Sequence, residues 1–289
     1  MKFENLSQRL KSALIEDQAF SDVTTHFLPE FSKHEVSATV IAKSPGVFCG
    51  SFIVLETLRL LDSRSHVKIH KSDGSIVRSG EKILSLKGTA KAILGAERTI
   101  LNLICHLSGI ATLTKKYVDA VRGSHVSILD TRKTTPLWRD LEKYAVHCAG
   151  GTNHRFSLGD AILVKDNHLE FLYQKKMTPL AVFSKEKTKH KKIKFLALEA
   201  RNIKEVWNAI KCRADIVLLD NMDIPMIKKA VFFVEAARRA LNSPYPLIEV
   251  SGGVTLEKAR KLAKLGVDRI SVGALTHSAP ILDLSLEVL

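Results

Sequence analysis

From residue 113 onward, short apolar runs alternate with stretches of helical period. The runs end in "SILD", "AILVKD", "KFLALEA", "DIVLLDN", "LIEVSGG" and "RISVGAL", and a helical stretch follows each. Six such units in succession predict parallel strands with helices outside, in either a barrel or an open doubly wound sheet. Residues 1–112 follow another grammar. Leu6, Leu10 and Leu14 recur every fourth position, as on an amphipathic surface helix. "VSATVIAK" alternates with period two at Val36, Ala38 and Val40, and a helical run covers residues 52–61. Short strands around "HVKIH" and "KILSLKG" flank "KSDGSIV", where Asp73-Gly74 predicts a tight turn. A long helix is expected from about residue 90 to 121. Ile100, Leu103, Ile104, Leu107 and Ala111 form its apolar stripe, while Arg98, Asn102 and His106 share a polar face. The chain therefore divides into an α/β amino-terminal domain, 1–112, with the long connecting helix, and a second domain, 113–289. The carboxyl-terminal tail could pack back on the first.

Polar and glycine residues gather just past the predicted strand ends: Asp130 to Lys133, Lys165 to His168, Glu199, Asp220-Asn221, Ser251 to Gly253, and Gly273. In both candidate architectures, ligands bind at the carboxyl ends of the strands. "ILDTRKTTP", a buried run that turns at once into two adjacent cations, is one of six strand ends meeting on a common face. Gly252 and Gly253 would let backbone N–H groups approach an anion, and Ser278 is placed to cap a following helix. The final two loops of a barrel are a frequent phosphate site. Glu199 and Asp220 end neighbouring strands and could share a divalent ion, most naturally Mg²⁺ held together with phosphate oxygens. Arg132, Lys133, His154, Arg155 and Lys165 would repel one another at one face unless anions filled the space between them. Such a site suits one highly anionic substrate or two anionic substrates together.

Composition narrows the classes further. The chain has 289 residues, 45% hydrophobic and 26% charged, which reads as globular. No run approaches a membrane span, and the amino terminus has no apolar core of signal-peptide type. Cys49, Cys105, Cys148 and Cys212 stand far apart in sequence, so free thiols in a reducing cytoplasm are expected and a zinc site is not. The net charge of +14 would suit a nucleic-acid binder, but half of it lies in residues 175–194, with eight lysines and only Glu186 against them. That segment reads as a solvated insertion, and Phe183 alone does not interleave its lysines in the way base stacking would use. Clustering of the other cations at strand ends argues against a groove binder.

"ERTILNLICHLSGIAT", "DTRKTTP", "LEKYAV", "NHR", "VKDNH", "LLDN", "SGGVT" and "GVDRISVGALTHS" resemble, in order, the motifs of the quinolinate phosphoribosyltransferase family, the carboxylating nicotinate-nucleotide pyrophosphorylases. The resemblance covers nearly the whole chain. It implies an α/β amino-terminal domain plus an incomplete, seven-stranded α/β barrel. It also implies a cytoplasmic homodimer, or an assembly of dimers, with active sites shared between subunits. By position, Arg132, His154, Arg155 and Lys165 would cradle the two carboxylates of quinolinate, and Arg98 would be lent by the neighbouring subunit. Lys133, Glu199 and Asp220 would handle the pyrophosphate, ribose and Mg²⁺ of phosphoribosyl pyrophosphate, as the catalytic group. Ser251, Gly252, Gly273 and His277 would hold its phosphates. The chain departs from the family pattern at Ala19, Ser21, Leu137 and Ala149, where glycines are usual, and at Ala197 and Arg201, where acids are usual. These changes bear on loop flexibility and on charge around the metal. Two rival readings are a molybdenum-transport-associated paralogue of the same fold and a basic nucleic-acid-binding protein.

Overall fold

The computed structural model describes residues 3–178 and 193–289, which form two compact units. The first combines Met1–Lys115 with Pro136–Gly150 and Ser278–Leu289; the second combines Lys116–Thr135 with Gly151–His277. The chain thus returns to the first unit twice after the division drawn at residue 112. The helix Arg139–Cys148 belongs there because of what its side chains meet. Asp140 pairs with Arg9 through two contacts of 2.8 Å, and the wholly buried Glu142 faces His106 Nε2 at 2.9 Å. The Tyr144 hydroxyl donates to Asp73 Oδ2 at 2.9 Å. An amphipathic pattern shows that a helix has a buried face, but not which body buries it.

In the first unit, β1 (Glu35–Ala42), β2 (Gly46–Val47), β3 (His66–Ile69), β4 (Ile76–Val77) and β5 (Lys82–Thr89) follow in order. Antiparallel β1, β5 and β3 form a sheet, and the carboxyl-terminal strand Leu284–Val288 covers the other edge of β1. Strands β2 and β4 make a separate ribbon. Asp73-Gly74 lies in the expected turn, with Gly74 at φ +86°. The long helix runs Ala90–Ala120, and Ile100, Ile104, Leu107 and Ala111 of its stripe are buried. Cys49 and Cys148, remote in sequence, meet beside Asp73, with one ligand-type atom of each of the three within 4.8 Å of the others. The Asp73 carboxylate is already engaged there. It accepts from the Ser51 N–H, at the start of the helix Ser51–Leu61, and from Tyr144.

The second unit contains the six expected strands: β6 (Ser127–Leu129), β7 (Ile162–Val164), β8 (Leu196–Ala200), β9 (Ile216–Asp220), β10 (Leu247–Ser251) and β11 (Arg269–Ser271). All are parallel, in the order β6-β11-β10-β9-β8-β7. Strand β6 returns beside β11, which is the order of a barrel left open between β6 and β7. At that opening Thr152 makes a single parallel bridge to Leu129, so the implied seventh strand is reduced to one residue. Asp130 ends the ladder there: its carboxylate accepts from Asn153 Nδ2 at 2.6 Å and from the His154 N–H at 2.9 Å. The helices outside start on side-chain caps. Asn202, Asp223 and Thr255 accept from the N–H groups of Glu205, Met226 and Lys258. Among the described residues, no helix is long and apolar enough to cross a membrane. The lysine-rich stretch 175–194 lies for the most part outside the described residues.

Candidate active site

Strand alternation builds the site. In a parallel strand every second side chain points the same way. On β10 that rule places Glu249 with Ser251; on β9, Leu218 with Asp220. It also sets Leu163, on β7, with Lys165 just past its end. All six line one cleft of about 490 Å³ in the second unit. Glu199 of β8, Ser271 of β11 and the loop residues Thr131, Arg132, Lys133, His154 and Arg155 complete most of its wall. Parallel register sets Ser251 directly beside Asp220.

Several cations crowd the wall of the cleft. Arg155 is 7% exposed, and its Nη1 donates to the Ala161 carbonyl at 2.9 Å. Burial first, then the neighbouring Arg132, lowers its affinity for its proton. Arg132 Nε is buried with no hydrogen-bond partner among the described residues. A buried guanidinium donor left in this way favours an acceptor that enters the cleft. Lys165 Nζ stands 3.5 Å from Glu199 Oε1, about half exposed. The neighbouring acid Asp130, which the sequence placed among the polar strand ends, is wholly buried and serves as a clamp for residues 153 and 154.

His154 does something the sequence did not suggest. Its Nδ1 accepts the Arg155 N–H at 2.8 Å, which fixes the ring proton on Nε2. Nε2 stands 3.2 Å from Oε1 of Glu249, wholly buried on β10. Arg269 Nε donates to Glu249 Oε2 at 2.8 Å, and Ser271 Oγ donates to Oε1 at 2.5 Å. Glu249 was missed as a site residue. The available signal was period two: it lies two positions before Ser251 on the same strand.

At the glycine loops, Gly252 has φ +96°, and a Cβ there would stand 2.1 Å from Asn221 Oδ1. A Cβ on Gly273 would meet His277 Nε2 at 3.1 Å and Lys133 Cδ at 3.2 Å. Gly273 and His277 thus flank Lys133, whose carbonyl accepts from Thr276 Oγ1 at 2.6 Å. Ser278 follows the short helix Ala274–His277 and precedes no helix, so its expected capping role is corrected. Arg98 is exposed on the long helix of the first unit and is not among the residues lining the cleft. Arg201, by contrast, does line it, with Nε 3.8 Å from Asp220 Oδ2.

Comparison with known proteins agrees across the chain. The family model for the quinolinate phosphoribosyl transferase N-terminal domain matches residues 22–108, and that for the C-terminal domain matches residues 110–287. The chain is 36% identical over 291 residues to the carboxylating nicotinate-nucleotide pyrophosphorylase of Mycobacterium leprae, covering 99% of this chain and 98% of that protein. Among solved structures it is similar to the nicotinate-nucleotide pyrophosphorylase from Francisella tularensis, with a TM-score of 0.90 and 35% identity over 100% of this chain and 98% of the other. The Ehrlichia chaffeensis protein of the same name has a TM-score of 0.86 at 36% identity, over 100% and 99%.

Proposed function

The chain belongs to the quinolinate phosphoribosyltransferase family, and we propose that the cleft of its second unit joins quinolinate to phosphoribosyl pyrophosphate. The protein is a carboxylating nicotinate-nucleotide pyrophosphorylase of NAD biosynthesis. One observation carries the assignment of the site: the charge of the cleft. Arg132, Lys133, Arg155, Lys165 and Arg201 line it, against Glu199 and Asp220, while the third acid, Glu249, is matched by Arg269. Two polyanions brought together need that excess.

Arg132, Arg155 and Lys165 bind the two carboxylates of quinolinate. His154, held by Glu249, is a positioning residue for Arg155 through its Nδ1. Lys133 and the loops at Gly252 and Gly273 take the phosphates. The ring nitrogen attacks the anomeric carbon, and the bond from that carbon to pyrophosphate breaks, its electron pair leaving with pyrophosphate. The ring nitrogen is then cationic. When the adjacent carboxylate departs as CO₂, the electron pair of the broken bond stays on the ring carbon, stabilised by the cationic nitrogen beside it, and that pair then takes up a proton. The product is nicotinate mononucleotide. Lys133 meets the charge that develops on the leaving group. The largest contribution of the protein is to hold two mutually repelling anions in contact.

Glu199 and Asp220 offer hard carboxylate oxygens on neighbouring strands, the donor type Mg²⁺ takes together with phosphate oxygens. Each already faces a side-chain cation, which suits an ion that arrives with the pyrophosphate. They would hold Mg²⁺, which supplies positive charge against the leaving group when bound. Arg98 completes the quinolinate end from a second copy of the chain.

Quinolinate, phosphoribosyl pyrophosphate and Mg²⁺ are expected to give CO₂ and pyrophosphate in equal amounts. Pyrophosphate release without CO₂, or no consumption of quinolinate, would remove the reading.

A further inference from the structure

Arg201 directly follows β8, two residues beyond Glu199, so strand alternation turns it to the same side. Its backbone is firmly set. The Arg201 N–H donates to Glu205 Oε2 at 2.7 Å. The adjacent Asn202 accepts from the Glu205 N–H at 3.0 Å and donates through Nδ2 to Glu205 Oε1 at 2.7 Å. This reciprocal cap anchors the start of the helix Ile203–Lys211. The Arg201 side chain lines the cleft. It is 53% exposed, and Nε stands 3.8 Å from Asp220 Oδ2. A pair at that separation and exposure is weak, so the guanidinium can exchange it for a better anion. Asp220 keeps a donor of its own when that happens, Asn221 Nδ2 at 3.0 Å.

The neighbourhood selects the anion. Glu199 and Asp220 make this a stretch of cleft wall where carboxylates would repel an incoming polyanion. A highly charged group can approach only if the two acids are screened. Screening can come from a divalent ion or from a fixed cation. Arg201 is a fixed cation, placed on Asp220, with a planar fork that fits two phosphate oxygens at once. The quinolinate carboxylates have Arg132, Arg155 and Lys165 and do not need it.

We propose that Arg201 is a further ligand for the diphosphate of phosphoribosyl pyrophosphate, resting on Asp220 while the cleft is empty, and that it lessens the need for a divalent ion at that end. The proposal rests on the phosphoribosyltransferase reading of the cleft. Calorimetric titration of phosphoribosyl pyrophosphate into the wild type, Arg201→Ala and Arg201→Lys, first in EDTA and then at stepwise Mg²⁺, tests it without turnover. In EDTA, Arg201→Ala is expected to bind about tenfold or more weakly than the wild type, the cost of one charge-assisted contact. Arg201→Lys should fall between them, since it keeps the charge and loses the fork. The gap should narrow as Mg²⁺ rises, and quinolinate binding should stay unchanged. Equal affinity of wild type and Arg201→Ala in EDTA overturns the role of Arg201. Failure of the wild type to bind at any Mg²⁺ level is a separate result: it overturns the reading of the cleft and takes the proposal with it.

Discussion

Glu249 is wholly buried, and burial alone would push its carboxyl upward from the ordinary value. The His154 hydrogen bond, the Arg269 guanidinium and the Ser271 hydroxyl outweigh burial and hold it down at about 2. The sign of the pH effect follows. A carboxyl lowered on folding stabilises the fold fully above its unfolded value, and that contribution is lost as pH falls toward the folded value. The window therefore runs from an ordinary 4.5 down to about 2. Glu249→Gln should cost roughly 3 kcal/mol near neutral pH, because His154 and Arg269 lose the charge they face. Urea unfolding of both proteins would show the difference shrinking through the acid window. A constant difference from pH 7 to pH 2.5 would mean that shape, not charge, is what Glu249 supplies. Reading residues at strand tips found the cations Arg132, Lys133, Arg155 and Lys165, all of which line the cleft. It passed over Glu249 because an acid inside an apolar run has no partner visible along the chain. Its partners come from two other segments, the loop at His154 and the strand Arg269–Ser271.

At the scale of elements, the legible part was the repeat. Each apolar run became a strand, and each helical stretch that followed became a helix. What stayed hidden depends on contacts between distant segments. Beside the single bridge of Leu129 to Thr152, the Asp130 carboxylate takes two hydrogen bonds from residues 153 and 154. Ser278 closes a helix of four residues that is too short for a clear period. The glycine loop after β10 was legible because glycine is chosen there for a geometric reason. Gly252 has φ +96° and packs on Asn221, the neighbour of Asp220. Gly252→Ala puts a side chain into a left-handed conformation at a cost of roughly 1–2 kcal/mol. It also drives Asn221 from its place. The expected outcome is a fold with a slightly lowered thermal midpoint, weakened binding of phosphoribosyl pyrophosphate and retained binding of quinolinate. Calorimetry with each ligand alone would measure the split. Equal weakening of both ligands would show that the loop shapes the whole cleft instead of one end.

At the scale of the whole molecule, Arg98 is the residue through which a shared site can be tested. The resemblance assigns it to the quinolinate end, yet it stands exposed in the first unit, while among the described residues those lining the cleft belong to the second. An exposed arginine on a helix is ordinarily a solvated charge worth little. If instead it reaches the cleft of a second copy, two variants can tell the difference. Arg98→Ala and Lys165→Ala should each be nearly inactive alone. In a mixed dimer with shared sites, one site carries both lesions and the other carries neither. Random reassembly makes half the dimers mixed, each with one intact site of two, so activity should recover to about a quarter of wild type. If Arg98 serves its own chain, every site keeps one lesion and mixing restores nothing. Subunit exchange must be verified independently, by native mass spectrometry of differently tagged chains, and sedimentation of the wild type gives the assembly size. Recovery near a quarter, with exchange confirmed, is the expected result. No recovery after confirmed exchange would return Arg98 to the helix surface as a structural charge and leave each cleft complete within one chain.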